Sequence, residues 1–201
     1  MDKKAFYKLT YGLFLLSARE EGRDNACIIN TAIQVANDPA RIAFAVLKEN
    51  YTHDIIQRNG VFAISSISES AEFDLFRRFG MQSGREVEKF EGFTDVERGE
   101  NDLLYLTKGA NMTMSGRVVE EMDLGSHTLF IGEVGDAVVL NDEPSCTYAY
   151  YQSDIKPQAQ KEEKKGWVCT VCGYVYEGDP LPADFICPWC KHGAEDFVRQ
   201  K

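Results

Sequence analysis

The chain has 201 residues, with 22 basic against 32 acidic side chains and a formal charge of −10. Its 44% hydrophobic and 11% aromatic content is enough for a packed core and excludes wholesale disorder. The acidic surface repels phosphate backbones and excludes nucleic acid as a partner class. No apolar run reaches the roughly 20 residues that span a bilayer. The short apolar stretch 12–18 runs into Arg19-Glu20-Glu21, where a cleaved leader needs small residues. No membrane span and no targeting segment are therefore expected, and the cytoplasm is the expected compartment.

In chain order, β-like runs are predicted over 11–18, 26–35 and 41–47, with Asp38-Pro39 breaking the second from the third. A helix over 52–59 is closed by Gly60. After a strand over 61–67, a second helix spans 70–79, capped by its serine and closed by Gly80. Strands over 103–106, 113–120 and 128–139 follow, the last two joined as a hairpin through the turn 123–125. Many strands and few helices predict a mainly β fold of the barrel type.

Composition changes near residue 152. The stretch 152–165 (QSDIKPQAQKEEKK) is proline, glutamine and alternating charge, with Ile155 its single large aliphatic residue, and it reads as a solvated linker. It separates a domain over 1–151 from a small one over 166–201. No internal repeat relates the two.

Four of the six cysteines fall in the small domain as Cys169-Thr170-Val171-Cys172 and Cys187-Pro188-Trp189-Cys190, a C-x2-C-x14-C-x2-C pattern. Two residues between thiolates let one tight turn present both sulfurs to one metal, and two such turns complete a tetrahedral S4 shell suited to iron or zinc. A segment of about 36 residues buries too little surface to fold without a metal or a staple. Spacing alone leaves iron and zinc open. The surroundings are Gly166-Trp167-Val168, then Gly173-Tyr174-Val175-Tyr176, Gly178-Asp179-Pro180 and Phe185. Together with C-x-x-C-G-Y-x-Y they resemble rubredoxin, which implies iron. The gap between cysteine pairs is shorter than in standalone rubredoxins and is similar to the short rubredoxin-like domains appended to other redox proteins. Lys191 stands where a glycine usually follows the fourth cysteine, so one N–H···S bond is expected to differ. His192 is expected at the surface, and Cys27 and Cys146 as structural residues not joined to each other.

The long domain has no G-x-G-x-x-G and no nucleophile elbow. Its unusual stretch is Asn30-Thr31-Ala32-Ile33-Gln34-Val35-Ala36-Asn37-Asp38-Pro39, polar and small residues within an otherwise apolar strand. On physical grounds that is equally a strand with one face in water. The segments 10–18, 25–39, 48–53 and Gly125-Ser126-His127 through Val134 together resemble the flavin reductase family. That resemblance covers nearly all of 1–151 and implies an FMN-binding split β-barrel, usually a homodimer. Carried over by position, Asn30, Thr31, Ala32 and Gln34 would line the isoalloxazine. Leu47, Lys48, Asn50, Thr52 and His53 would meet the rest of the FMN, its phosphate at a helix N-terminus. Ser83, Gly84 and Arg85 form a second candidate phosphate contact; surface charge is the other reading of Lys48 and Arg85. His127 matches a family histidine near the flavin, within reach of a nicotinamide; a strand histidine with an ordinary hydrogen bond is the other reading.

The pairing of the two domains is similar to the high-molecular-weight rubredoxins of anaerobes. It implies an oxidoreductase in which NAD(P)H reduces the flavin and the iron centre passes electrons to a redox partner, a flavodiiron protein that reduces NO or O2. Two alternatives stay open: a flavin reductase with a zinc-bound docking module, and a flavoredoxin-like carrier without nicotinamide activity.

Overall fold

A computed structural model describes residues 3–157, 166–190 and 192–200. The chain divides into two compact units, Met1–Ile155 and Lys156–Lys201. The expected linker's residues 158–165 lie outside the described ones.

The first unit is built on one antiparallel sheet. Strands β1 (Phe14–Glu20) and β2 (Arg23–Ile29) form a hairpin across Glu21 and Gly22, whose φ values of 50° and 82° give the left-handed turn that a two-residue hairpin requires. Then come β3 (Ala32–Asn37), β4 (Ala40–Leu47), helix α1 (Tyr51–Asn59), β5 (Val61–Ile67) and helix α2 (Phe73–Gly80). A two-stranded ribbon, β6 (Val96–Arg98) with β7 (Leu104–Leu106), precedes the long hairpin β8 (Ala110–Asp123) and β9 (His127–Val139). The strand order is β2-β1-β5-β8-β9-β4-β3. Consecutive strands β2 and β3 thus end up as the two edges of the sheet, the signature of a split barrel.

That arrangement corrects one expectation. The run 26–35 is two strands, because the chain turns at Asn30 and Thr31; β2 pairs with β1, while β3 pairs with β4. The serine cap of α2 is a second correction. Glu72 is the N-cap, Ser70 instead donates to the Glu143 carboxylate at 2.5 Å, and Gly80 is the last helical residue. The close of α1 at Gly60, with φ of 69° and its N–H on the Ile56 carbonyl, is as expected. So is the 123–125 turn, where the Gly125 N–H donates to Asp123 Oδ1 at 2.7 Å.

Two apolar clusters flank the sheet. In one, Ile55 and Ile56 of α1 pack on Leu16, Phe44, Phe62 and Phe130; burying each isoleucine is worth about 1.5–3 kcal/mol. In the other, Phe76 and Phe79 of α2 pack on Leu15, Ala26, Leu106 and Tyr151. The chain then passes through α3 (Tyr148–Tyr150) and a single π turn, Tyr151–Ile155, whose Ile155 side chain rests on this second cluster. No helix among the described residues is long and apolar enough to cross a membrane.

The second unit is a three-stranded sheet, β11 (Val175–Tyr176), β10 (Gly166–Cys169) and β12 (Phe197–Gln200) in that order. Its core is three cysteines and Phe197, covered by Trp167, Tyr174, Tyr176 and Phe185. Aromatic packing supplies what a unit of this size lacks in aliphatic core: Tyr176 and Phe185 lie 4.6 Å apart, and Phe185 meets Phe197 edge-on at 5.3 Å.

Candidate functional site

The turn at Asn30 and Thr31 opens onto a cavity of about 330 Å³. Five of the residues singled out from sequence meet there: Asn30, Thr31, Leu47, Asn50 and His127. Leu13, Ile29 and Tyr148 add apolar wall. Asn50 is the N-cap of α1, yet its side chain makes no capping bond. His127 opens β9 opposite Leu47, with Nδ1 2.9 Å from Ser126 Oγ. Ala32 and Gln34 instead border a second, more apolar cavity of about 300 Å³. Gln34 is exposed and donates back to Asn37 Oδ1 at 2.9 Å.

Thr52 and His53 are a different case. Thr52 is fully buried and donates to Asn25 Oδ1 at 2.9 Å. His53 is buried with both ring nitrogens engaged, Nδ1 by Asp54 Oδ1 at 3.0 Å and Nε2 by Thr128 Oγ1 at 2.9 Å. These two side chains fasten α1 to the sheet rather than offering contacts to a ligand.

Charge gathers beside the start of α1. Lys48 Nζ lies 2.7 Å from Asp123, and Arg85 2.6 Å from Asp54. Burial opposes ionisation of Asp54, but hydrogen bonds from His53 and Arg85 prevail and hold its carboxyl below the usual range. Ser83 Oγ accepts the Arg85 N–H at 3.3 Å. Gly84 is pressed so closely on Asn25 that a Cβ would stand 2.1 Å from Nδ2. Sequence reasoning missed Arg23, Asn25 and Tyr51. Both Arg23 and Arg85 set their guanidinium carbons over the Tyr51 ring, at 5.1 and 5.4 Å, while Arg23 donates to the Gly84 carbonyl at 2.7 Å. Asn25 Nδ2 is a buried donor with no acceptor among the described residues. Only the Tyr51 ring carried a sequence signal, through its place beside Asn50. A polar-edged cavity beside arginines, a buried orphan donor and a helix N-terminus fits a flat aromatic ring carrying a phosphate.

In the second unit the sulfurs of Cys169, Cys172, Cys187 and Cys190 all lie within 4.8 Å of one another. Cys169 and Cys190 are 3.6 Å apart, and Cys172 and Cys187 3.4 Å. Those spacings are far longer than a disulfide's ~2.05 Å. They approach the ~3.7 Å edge of a tetrahedron with metal–sulfur bonds of about 2.3 Å. Burial pushes the Cys172 thiol up and the Cys190 thiol up to about 12. At Cys187 burial acts the same way, but N–H groups of Cys190 and Trp189 prevail and lower it. Four cysteine sulfurs gathered this closely form a donor set that fits a thiophilic metal. The N–H groups of Tyr174 and His192 point at Cys172 and Cys190. Lys191, beside which one N–H···S bond is expected to differ, lies outside the described residues; His192 is exposed, as expected. Cys27 and Cys146 are buried free thiols.

Residues 6–158 match the flavin reductase like domain, and residues 167–198 the rubrerythrin, rubredoxin-like domain. A high molecular weight rubredoxin from Moorella thermoacetica is 34% identical over 227 aligned positions, covering 98% of this chain and 99% of the relative. The chain belongs to the high molecular weight rubredoxin family. Within this family the flavin reductase-like unit takes FMN and the four-cysteine unit takes iron, and both fit the residues described above. A ferric-chelate reductase (NAD(P)H) from Archaeoglobus fulgidus is 38% identical over 151 positions, 75% of this chain and 89% of the relative. The crystal structure of a flavoredoxin from Methanosarcina acetivorans superposes with a TM-score of 0.58 at 25% identity, covering 65% of this chain and 69% of that one. The flavin reductase like match and the likeness to a ferric-chelate reductase (NAD(P)H) support flavin-based electron transfer from NAD(P)H.

Proposed function

We propose that this protein is a cytoplasmic NAD(P)H-dependent electron-transfer flavoprotein that delivers electrons through its tetrathiolate iron to a redox partner. The observation that carries the reading is the occurrence, on one chain, of the cavity at Asn30, Thr31, Asn50 and His127 and the four-sulfur cluster. FMN supplies the exchange between a nicotinamide, which gives electrons in pairs, and an iron centre that takes them singly. Buried free thiols at Cys27 and Cys146 suit a reducing compartment.

The chain's own residues bind and orient. Asn30, Thr31 and Asn50 offer hydrogen-bonding groups to the polar edge of the ring, with Leu47 against its face and Ala32 and Gln34 beyond the turn. Lys48, Ser83, Gly84 and Arg85 hold the phosphate next to the first turn of α1, with Thr52 and His53 fixing that turn. His127 orients the nicotinamide; no proton transfer is assigned to it, because hydride transfer depends on stacking and alignment. Ile33, Val35, Val138 and Val139 are exposed apolar side chains near the second cavity and support a homodimer through this face. A flavodiiron NO or O2 reductase is the acceptor that the two-domain pairing suggests.

The test is the visible spectrum before and after anaerobic NADH or NADPH. Thiolate-to-iron bands over those of the flavin, with both bleached by the nicotinamide, bear the reading out. Flavin bands without iron bands turn it into the zinc-docked flavin reductase, and bands that neither nicotinamide bleaches make it a carrier. The 38% identity to a ferric-chelate reductase favours a second reading, in which small ferric chelates take electrons from the first unit directly. Ferric-chelate reduction that persists in Cys172→Ser separates that route from the one through the iron.

A further inference from the structure

Lys156 and Pro157 stand ahead of the rubredoxin-like match, which begins at residue 167, yet they lie against its first cysteine turn. The Lys156 ammonium donates to the carbonyl of Val171, between the ligands Cys169 and Cys172. The Pro157 carbonyl lies 4.0 Å from where a Cβ on Gly173 would stand, the glycine that follows Cys172 in a left-handed conformation with φ of 79°. Two successive residues thus run along the turn that presents two of the four sulfurs.

We propose that Lys156 is a positioning residue for the redox centre, a fixed positive charge seated on the first cysteine turn that raises the reduction potential of the iron. The inference rests on the iron reading above. Four thiolates around iron carry net negative charge in both oxidation states, and each reduction adds one more. A nearby cation therefore favours the reduced form. Lys156 bonds a neutral carbonyl rather than a carboxylate, so its charge is not cancelled by its own partner; Arg199, in the same unit, is committed to Asp179. The Val171 carbonyl shares its peptide group with the Cys172 N–H, so a cation on the oxygen polarises a peptide that adjoins one of the ligands. N–H groups of Tyr174, Trp189, Cys190 and His192 act in the same direction but belong to the cysteine turns themselves. Lys156 is a contribution from outside those turns.

The effect expected of one half-buried charge is about tenfold in the ratio of reduced to oxidised iron at fixed ambient potential, which is about 59 mV for one electron. The experiment is a spectroelectrochemical titration of full-length protein and its Lys156→Met, Lys156→Arg and Lys156→Glu variants, read on the thiolate-to-iron bands. Unchanged band positions establish that the site is intact. Lys156→Met is expected to lower the potential by that amount, Lys156→Glu to lower it at least as far, and Lys156→Arg to stay within twofold of the parent. A potential for Lys156→Met within twofold of the parent overturns the proposal. Parent protein without iron bands overturns the iron reading and the proposal with it, a result distinct from an unshifted potential.

Discussion

His53 and Thr128 are joined across the barrel: Nε2 of the histidine lies 2.9 Å from the threonine Oγ, tying the first turn of α1 to β9. The histidine Nδ1 lies 3.0 Å from Asp54 Oδ1, so both ring nitrogens are engaged. His53→Ala opens a cavity against Phe130, whose ring centre is 5.7 Å away, and removes the partner of the Thr128 hydroxyl, while Asp54 keeps Arg85. A loss of about 2–4 kcal/mol in urea unfolding is expected. Weakened FMN binding should accompany it, since the turn beside the proposed phosphate site loses its anchor.

Asn50 behaves in the opposite way. An N-cap asparagine is ordinarily worth about 1 kcal/mol, through a side-chain bond to the helix. Asn50 makes no such bond and borders the cavity instead. Asn50→Ala is expected to leave the melting temperature nearly unchanged while weakening FMN about tenfold, which corresponds to about 1.4 kcal/mol. Flavin titration by fluorescence, beside a thermal melt, checks the split. A matched loss in both would return Asn50 to a purely structural role.

The depressed Asp54 carboxyl gives stability a pH signature. Its ordinary value is 3.8 and its folded value lies lower, so the unfolded chain takes up the proton first on acidification. Its contribution is therefore fully present above that value and is lost as pH falls through the folded one. Asp54→Asn should be less stable than the parent at neutral pH, and the gap should narrow in acid below 3.8. Urea midpoints collected across the acid range measure it.

Gly116 sits at a bulge in the β8–β9 ribbon, between Ser115 and the regular pairing with Val134. An added Cβ would stand 2.0 Å from the Glu133 carbonyl oxygen and 3.1 Å from the Val134 Cα, both backbone atoms. Because neither can swing away, the strands must part. Gly116→Ala should destabilise by about 1–3 kcal/mol, seen as a lower denaturant midpoint with an unchanged slope.

Much of this was legible in the sequence for identifiable reasons. The four-sulfur cluster is local: each C-x-x-C makes its own turn, so spacing was enough to expect Cys169, Cys172, Cys187 and Cys190 together. Helix α1 and the 123–125 turn were legible through Gly60, Asp123 and Gly125, whose backbone conformations or bonds are encoded where they occur. The run 26–35 misled because a largely apolar stretch with a few polar residues does not reveal a change of pairing partner at Asn30. The hairpin at Glu21-Gly22 escaped because charged residues surround it. Thr52 and His53 lie at the expected place on α1 but face the sheet, and a residue's direction depends on long-range pairing with Asn25 and Thr128. Ile155, the single large aliphatic residue in a stretch composed like a linker, was the visible sign that the first unit continues past residue 151.

The placement of β2 and β3 at opposite edges makes Asn30 and Thr31 a seam. The two segments that precede and follow it, β2 and β3, each pair with a single neighbouring strand, β1 and β4. A molecule gripped at Asn30 and Thr31 would act as a clasp on that seam. Its occupancy would then slow amide exchange in both outermost strands together while leaving the central β5–β8 pair, already protected on both sides, almost untouched.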